Sequence, residues 1–112
     1  MIYHVQARFR EGTARSLLGK LTDGTIQEQR PDGPELRASM SRAVVNEDGN
    51  VEWSEMCFCP SPLHHERTTV LDHQFDNITT DPIDGHQTYQ GRPFMEFLAE
   101  AAGAEEDDQR AG

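Results

Sequence analysis

Four side chains that could bind a metal ion or act as nucleophiles lie close together in the run CFCPSPLHHER: Cys57, Cys59, His64 and His65. Thiolate and imidazole are the ligands that zinc and copper prefer in proteins. Cysteines two residues apart on a strand point to the same face, and a helix capped by Ser61 would place both histidines in its first turn. These residue types indicate a Zn or Cu site as one interpretation.

The spacing of the same four residues permits two further interpretations. It is not the spacing of a zinc knuckle, and adjacent histidines on a helix diverge by about 100°. A helix N-terminus near Cys59, with His64 or His65 as a base, would favour the thiolate and give a nucleophile or a redox sensor. The third interpretation is a pair of small buried hydrophobic side chains, which is how reduced cysteine usually behaves. We expect this third case.

A second candidate group lies in the alternating run IYHVQARF at residues 2–9. One side of this predicted strand is apolar, and the other carries His4, Gln6 and Arg8. A histidine and an arginine on one face could bind an anionic or carbonyl ligand if something covers that face. The alternative is an ordinary solvated surface, where charged side chains are the default.

The composition argues against some classes of binding partner. The formal net charge is −10, from 20 acidic and 10 basic residues, and such a field argues against nucleic acid and against an anionic membrane surface. No signal peptide and no apolar run of membrane-spanning length occurs, so we expect a cytoplasmic protein with reduced cysteines. Motifs for a phosphate-binding loop, a serine nucleophile or a zinc protease are also missing from the sequence, so catalysis is not expected.

The elements that must position these residues can be predicted from periodicity. After the first strand, Glu11-Gly12-Thr13 opens a helix whose apolar stripe precedes the stop at Asp23-Gly24; the stripe consists of Ala14, Leu17, Leu18 and Leu21. Two strands are predicted over 35–46 and 50–59, joined by a hairpin loop that contains Asp48-Gly49.

The second half of the chain is more ambiguous. Residues 62–75 combine a helical apolar stripe with the strand-favouring run Thr68-Thr69-Val70, and we predict a helix there. An edge strand follows at 77–83, then a polar loop, then a final helix that begins at Pro93. Residues 104–112 contain no large apolar side chain, so we predict a disordered acidic tail after a folded domain of residues 1–103.

The predicted order, β-α-β-β-α-β-α, is that of a ferredoxin-like split βαβ domain, in the α+β class, with an extra C-terminal helix. Both sides of the predicted 35–59 hairpin are partly apolar, so its second face should be covered, either by a second copy of the chain or by the final helix. We expect a homodimeric, non-catalytic domain that binds a small molecule or a protein partner. The alternative is a metal-binding or thiol-active protein.

Overall fold

The first two elements have the bounds that hydrophobic periodicity predicts. The computed structural model describes residues 1–29, 33–57, 63 and 67–111, with the backbone alone for 68, 69 and 106–111. Strand β1 spans Ile2–Phe9 and helix α1 spans Ala14–Thr22. The apolar face of β1 and the apolar stripe of α1 are both buried and belong to one core.

The next element differs from the prediction. Residues 35–46 were predicted as a strand, but helix α2 spans Gly33–Arg42 and is followed by a two-residue strand β2, Val44–Val45. The buried side chains of α2 and of the residue that follows it recur at the helical spacing i, i+3, i+4, i+7: Leu36, Ser39, Met40 and Ala43. The prediction was wrong because residues four apart fit both a period of two and a period of 3.6. Pro34 and Glu35 in the first turn favour the helix.

The predicted hairpin turn is present, but its first arm is short. Asn46 lies at the start of the turn, and its Oδ1 accepts hydrogen bonds from the N–H groups of Asp48 (2.9 Å) and Asn50 (3.0 Å). Gly49 has φ +86°, a left-handed conformation that glycine adopts without strain. Strand β3, Asn50–Met56, pairs with β2 only through Glu52 and Val51.

The second half of the chain mostly follows the predicted pattern. A π-helical turn at Arg67–Leu71 continues into the short helix α3, Asp72–Gln74, so residues 67–74 of the predicted 62–75 helix are helical. Strand β4 spans Phe75–Ile83 and begins two residues before the predicted edge strand. A two-residue strand β5, Arg92–Pro93, precedes the final helix α4, Phe94–Ala111.

Helix α4 continues past residue 103, where the sequence predicted that disorder begins. Its Glu105 side chain accepts hydrogen bonds from the backbone N–H of Ala14 (2.7 Å) and of Arg15 (3.1 Å). These N–H groups belong to the first turn of α1, where they have no partner within the helix. Thr13, which precedes α1, makes no capping bond of its own. The start of the predicted tail is therefore the N-terminal cap of α1.

The five strands form one open antiparallel sheet in the order β4-β1-β3-β2-β5. In this register His4 lies between Ser54 of β3 and Asp81 of β4. The Cα radius of gyration is 13.7 Å, the size of one compact α+β domain of this length. In the part of the chain that the structure describes, no helix is long and apolar enough to span a membrane.

All the long helices lie on one face of the sheet. Phe94 of α4 packs against Phe9 of β1 with 5.7 Å between ring centroids, and α4 also packs along α1. The proposal that the final helix covers the second face is therefore wrong, because α4 belongs to the core side.

Helix α2 also completes the edge of β3 beyond the end of β2. The carbonyl oxygen of Ser54 accepts a hydrogen bond from Arg42 Nη2 (2.9 Å), and the N–H of Met56 donates to Glu35 Oε1 (3.3 Å). These backbone groups would otherwise lack partners, and an unpaired buried backbone group is costly. Side chains of α2 therefore replace a neighbouring strand.

The structure changes part of the reasoning behind the predicted homodimer and does not test the homodimer itself. The prediction came from apolar residues on both sides of the 35–59 hairpin, and in its first arm Leu36 and Met40 instead belong to the buried stripe of helix α2. Among the described residues, Met1 is the only large hydrophobic side chain that is exposed. Homodimerisation stays a prediction.

Candidate ligand-binding site on the open face

The segment at residues 84–91, here called the crossing segment, runs over the sheet face that the helices leave open. It leaves β4 at one edge and enters β5 at the other, so it must span four interstrand spacings, about 19 Å. Eight extended residues reach about 27 Å, which is sufficient. At its end Gly91 has φ +154°, and a Cβ atom there would lie 3.0 Å from the carbonyl oxygen of Val45. Glycine therefore allows the chain to pass close to β2.

Two side chains of the crossing segment contact the sheet. His86 Nδ1 lies 2.8 Å from Ser54 Oγ, and Ser54 is buried although it lies on the open face. The Tyr89 ring stacks on the His4 imidazole with centroids 4.6 Å apart and planes inclined by 14°. The open face is therefore partly covered from within the same chain, by neither of the two predicted covers.

His4 is held between a carboxylate and this aromatic ring. Its Nε2 lies 2.7 Å from Glu52 Oε2 on the neighbouring strand, and 3.4 Å from Gln6 Nε2. The carboxylate can only accept hydrogen bonds, so Nε2 carries the hydrogen of this bond. Side-chain exposure is 19% for His4 and 34% for Glu52, so water still reaches the pair. The contact joins the two side chains and engages one oxygen of the Glu52 carboxylate.

Tyr89 has an altered acidity in this position. Burial raises the pKa of its hydroxyl above the usual value of 10.0, and the negative charge of Glu52 raises it further. Both effects disfavour the phenolate, because an anion loses hydration there and lies near a second anion. The Tyr89 hydroxyl therefore stays protonated over the physiological pH range. Its oxygen lies 3.3 Å from Gln87 Oε1, to which it donates a hydrogen bond.

Beside His4, the open face contains a cavity of about 230 Å³ that is lined by both polar and apolar residues. The polar side chains come from strands β1, β3 and β4, from the hairpin turn and from the crossing segment: Gln6, Arg8, Asn46, Asn50, Glu52, Asn77, Thr79 and Gln90. Most are amides or hydroxyls, which can both donate and accept hydrogen bonds. Its volume lies below the range of about 300–1,000 Å³ that is usual for drug-sized ligands, so only a small molecule fits.

Of the two candidate groups predicted from the sequence, the structure brings the β1 group together and describes only one member of the cysteine–histidine group. His4, Gln6 and Arg8 share the open face, where Gln6 and Arg8 line the cavity and His4 lies beside it under Tyr89. Cys57 is buried in the core, on the same side of β3 as Trp53. Cys59, His64 and His65 lie outside the described residues. Among the residues that are described, no three His, Cys, Asp or Glu side chains are grouped so as to hold a metal ion.

Sequence reasoning did not identify several residues of this site. Glu52 lies on the face of β3 that becomes the open face, but its pairing with His4 depends on the register of β1 against β3. Tyr89, His86 and Gln90 lie in a segment that was predicted only as a polar loop. The available signal was topological: a loop between opposite edges of a sheet has to cross one of its faces.

Comparison with known proteins does not add to this geometry: no family model, no curated protein and no solved structure matches the chain.

Proposed function

We propose that this protein binds a small polar molecule in the cavity of the open face, without catalysing a reaction on it. One observation carries the proposal: polar side chains from three strands, the hairpin turn and the crossing segment line a single concave surface. A cavity with a few convergent polar groups is the usual form of a small-molecule site. The amides and hydroxyls would hydrogen-bond hydroxyl or carbonyl groups of the ligand.

The position of the cavity fits the fold that we propose for the domain, a ferredoxin-like split βαβ sheet extended by β5. Two observations support this fold. The crossover from β1 to β2 runs through helices, and β3 lies between these two strands and is antiparallel to both. In such a sheet the helices cover one face, and the other remains available for ligands.

A titration with small probes tests the proposal. The ¹H–¹⁵N correlation spectrum of the folded full-length chain is recorded against glycerol, lactate and lactamide. We expect at least one probe to shift the amide signals of Gln6, Asn77 and Thr79 saturably, while the signals of the helix side stay unchanged. Absence of saturable shifts at these residues with all three probes would overturn the proposed function.

A pair of variants locates the binding. Thr79→Tyr places a ring in the cavity from an exposed position of β4, where aromatic residues suit a strand. Thr88→Tyr adds the same ring to the exposed crossing segment, outside the cavity lining. We expect binding to be lost in Thr79→Tyr and kept in Thr88→Tyr. Equal binding by both variants would place the ligand elsewhere.

A further inference from the structure

Arg8 differs from the other arginines that the structure describes with their side chains. Each of the others has an interaction partner within the chain, for example Arg10 with Asp76 at 2.7 Å and Arg42 with Glu35 at 2.9 Å. The Arg8 side chain makes no hydrogen bond or ion pair with a described residue, although the chain has twice as many acidic as basic residues. Arg8 is one of the residues that line the cavity, and it also lines a neighbouring depression that contains Asp76.

Two acidic residues beside Arg8 in the sheet, Asp76 and Glu52, are already engaged with other side chains. Asp76 lies opposite Arg8 in the register of β1 and β4 but is bound by Arg10 Nη2. That hydrogen bond is the main cause that lowers the pKa of Asp76, and the charge of Arg8 is a smaller cause. Glu52, the carboxylate in the cavity lining, is bound to His4. The N–H donors of the Arg8 guanidinium are therefore available to a ligand.

We infer that the ligand of this cavity is a small monocarboxylate whose carboxylate binds Arg8 and whose hydroxyl or carbonyl group binds the neighbouring amides. This inference rests on the proposed function and specifies its ligand class. A guanidinium binds a carboxylate through two parallel charge-assisted hydrogen bonds, which are about twice as strong as neutral ones. Gln6, Asn77 and Gln90 line the cavity with Arg8 and supply neutral donors and acceptors.

The charge of the whole chain limits the ligand to a single negative charge. A formal net charge of −10 repels polyanions such as nucleotides, and one guanidinium cannot offset several phosphate charges. The cavity of about 230 Å³ sets the size. Lactate has one carboxylate and one hydroxyl, and lactamide has the same shape without the charge.

Dissociation constants of lactate and lactamide, measured by the same amide shifts, test the inference. We expect the wild-type protein to bind lactate at least about tenfold more tightly than lactamide. Arg8→Gln should remove this preference by weakening lactate binding to the level of lactamide, and Arg8→Lys should restore part of it. Arg37→Gln changes the net charge equally on helix α2 and should leave both constants unchanged.

The outcomes separate this inference from the proposed function. If lactamide or glycerol binds in the cavity as tightly as lactate, and Arg8→Gln changes neither constant, the carboxylate class is wrong while the polar site stands. If no probe binds there in the wild-type protein, both fail. Thermal melting of each variant shows that a lost preference does not come from unfolding.

Discussion

At the scale of single residues, His4 shows which part of a site a sequence can reveal. Alternation along β1 placed His4, Gln6 and Arg8 on one face, and the structure has them there. The contacts of His4 come from elsewhere: Glu52 lies 48 residues away and reaches Nε2 only in this strand register. Tyr89 stacks on the ring because the crossing segment runs over the sheet. A periodic pattern specifies a face, whereas long-range pairing decides which side chains meet there.

The environment of Tyr89 predicts its titration. In a Tyr3→Phe background Tyr89 is the only tyrosine, and its phenolate absorbance near 295 nm reports its pKa. We expect a midpoint above 10.0, because burial raises this pKa. Glu52→Gln removes the second cause and should lower the midpoint without returning it to 10.0. Glu11→Gln removes a charge that is not among the causes and should have no effect. A midpoint unaffected by Glu52→Gln would contradict the described position of Tyr89.

At the scale of elements, helices and strands could be predicted where the spacing of apolar residues fits a single period. They could not be predicted where the spacing fits both the helical and the strand period. Strand β1 and helix α1 each fit a single period, and their predictions are confirmed. Helix α2 was predicted as a strand because the spacing of Leu36 and Met40 suits both structures. The cap of α1 was not predictable either. Glu105 supplies it from a segment with no large apolar side chain, so the ordering of residue 105 depends on a contact across 91 residues.

That contact predicts a loss of stability in Glu105→Ala. The change leaves the N–H groups of Ala14 and Arg15 without their carboxylate and removes a negative charge from the positive end of α1. Losing a helix N-cap typically costs about 1 kcal/mol, and we expect a similar decrease in the free energy of unfolding in urea. Glu96→Ala, in the first turn of the same helix, removes an exposed contact to Arg92 at 3.7 Å and a charge near the helix N-terminus but no hydrogen bond to a backbone N–H, and should cost less. Equal stabilities of Glu105→Ala and wild type would indicate that residue 105 does not dock.

At the scale of the whole molecule, the fold class and the net charge could be predicted from the sequence, whereas the path of the chain across the sheet could not. The α+β class followed from the alternation of predicted elements, and the five-stranded antiparallel sheet agrees with it. The path of the crossing segment between the two edge strands could not be predicted from the sequence, because local patterns contain no information on which face a loop crosses. The net charge was known from composition, and the structure adds the dimensions over which that charge acts, 46 × 29 × 20 Å.

These dimensions predict that the protein becomes more stable as NaCl is added at neutral pH. At 0.01 M salt the Debye length is about 30 Å, so the excess of acidic groups repels across most of the molecule; at 0.1 M it is about 10 Å. Unfolding separates the charges, so this repulsion destabilises the folded state. Salt also weakens the ion pairs, but these are partly exposed contacts that each contribute little to stability.

Because long-range repulsion is screened first, we expect the melting temperature to rise between 0.01 and 0.1 M NaCl, by about 4–8 °C for each kcal/mol relieved. A variant with Glu11→Gln, Glu28→Gln and Asp84→Asn provides the control. These three side chains are exposed and make no side-chain hydrogen bond to the described residues. The variant should melt higher than wild type at low salt and respond less to added NaCl. If salt lowers the melting temperature of both proteins, the ion pairs outweigh the repulsion and the prediction is wrong.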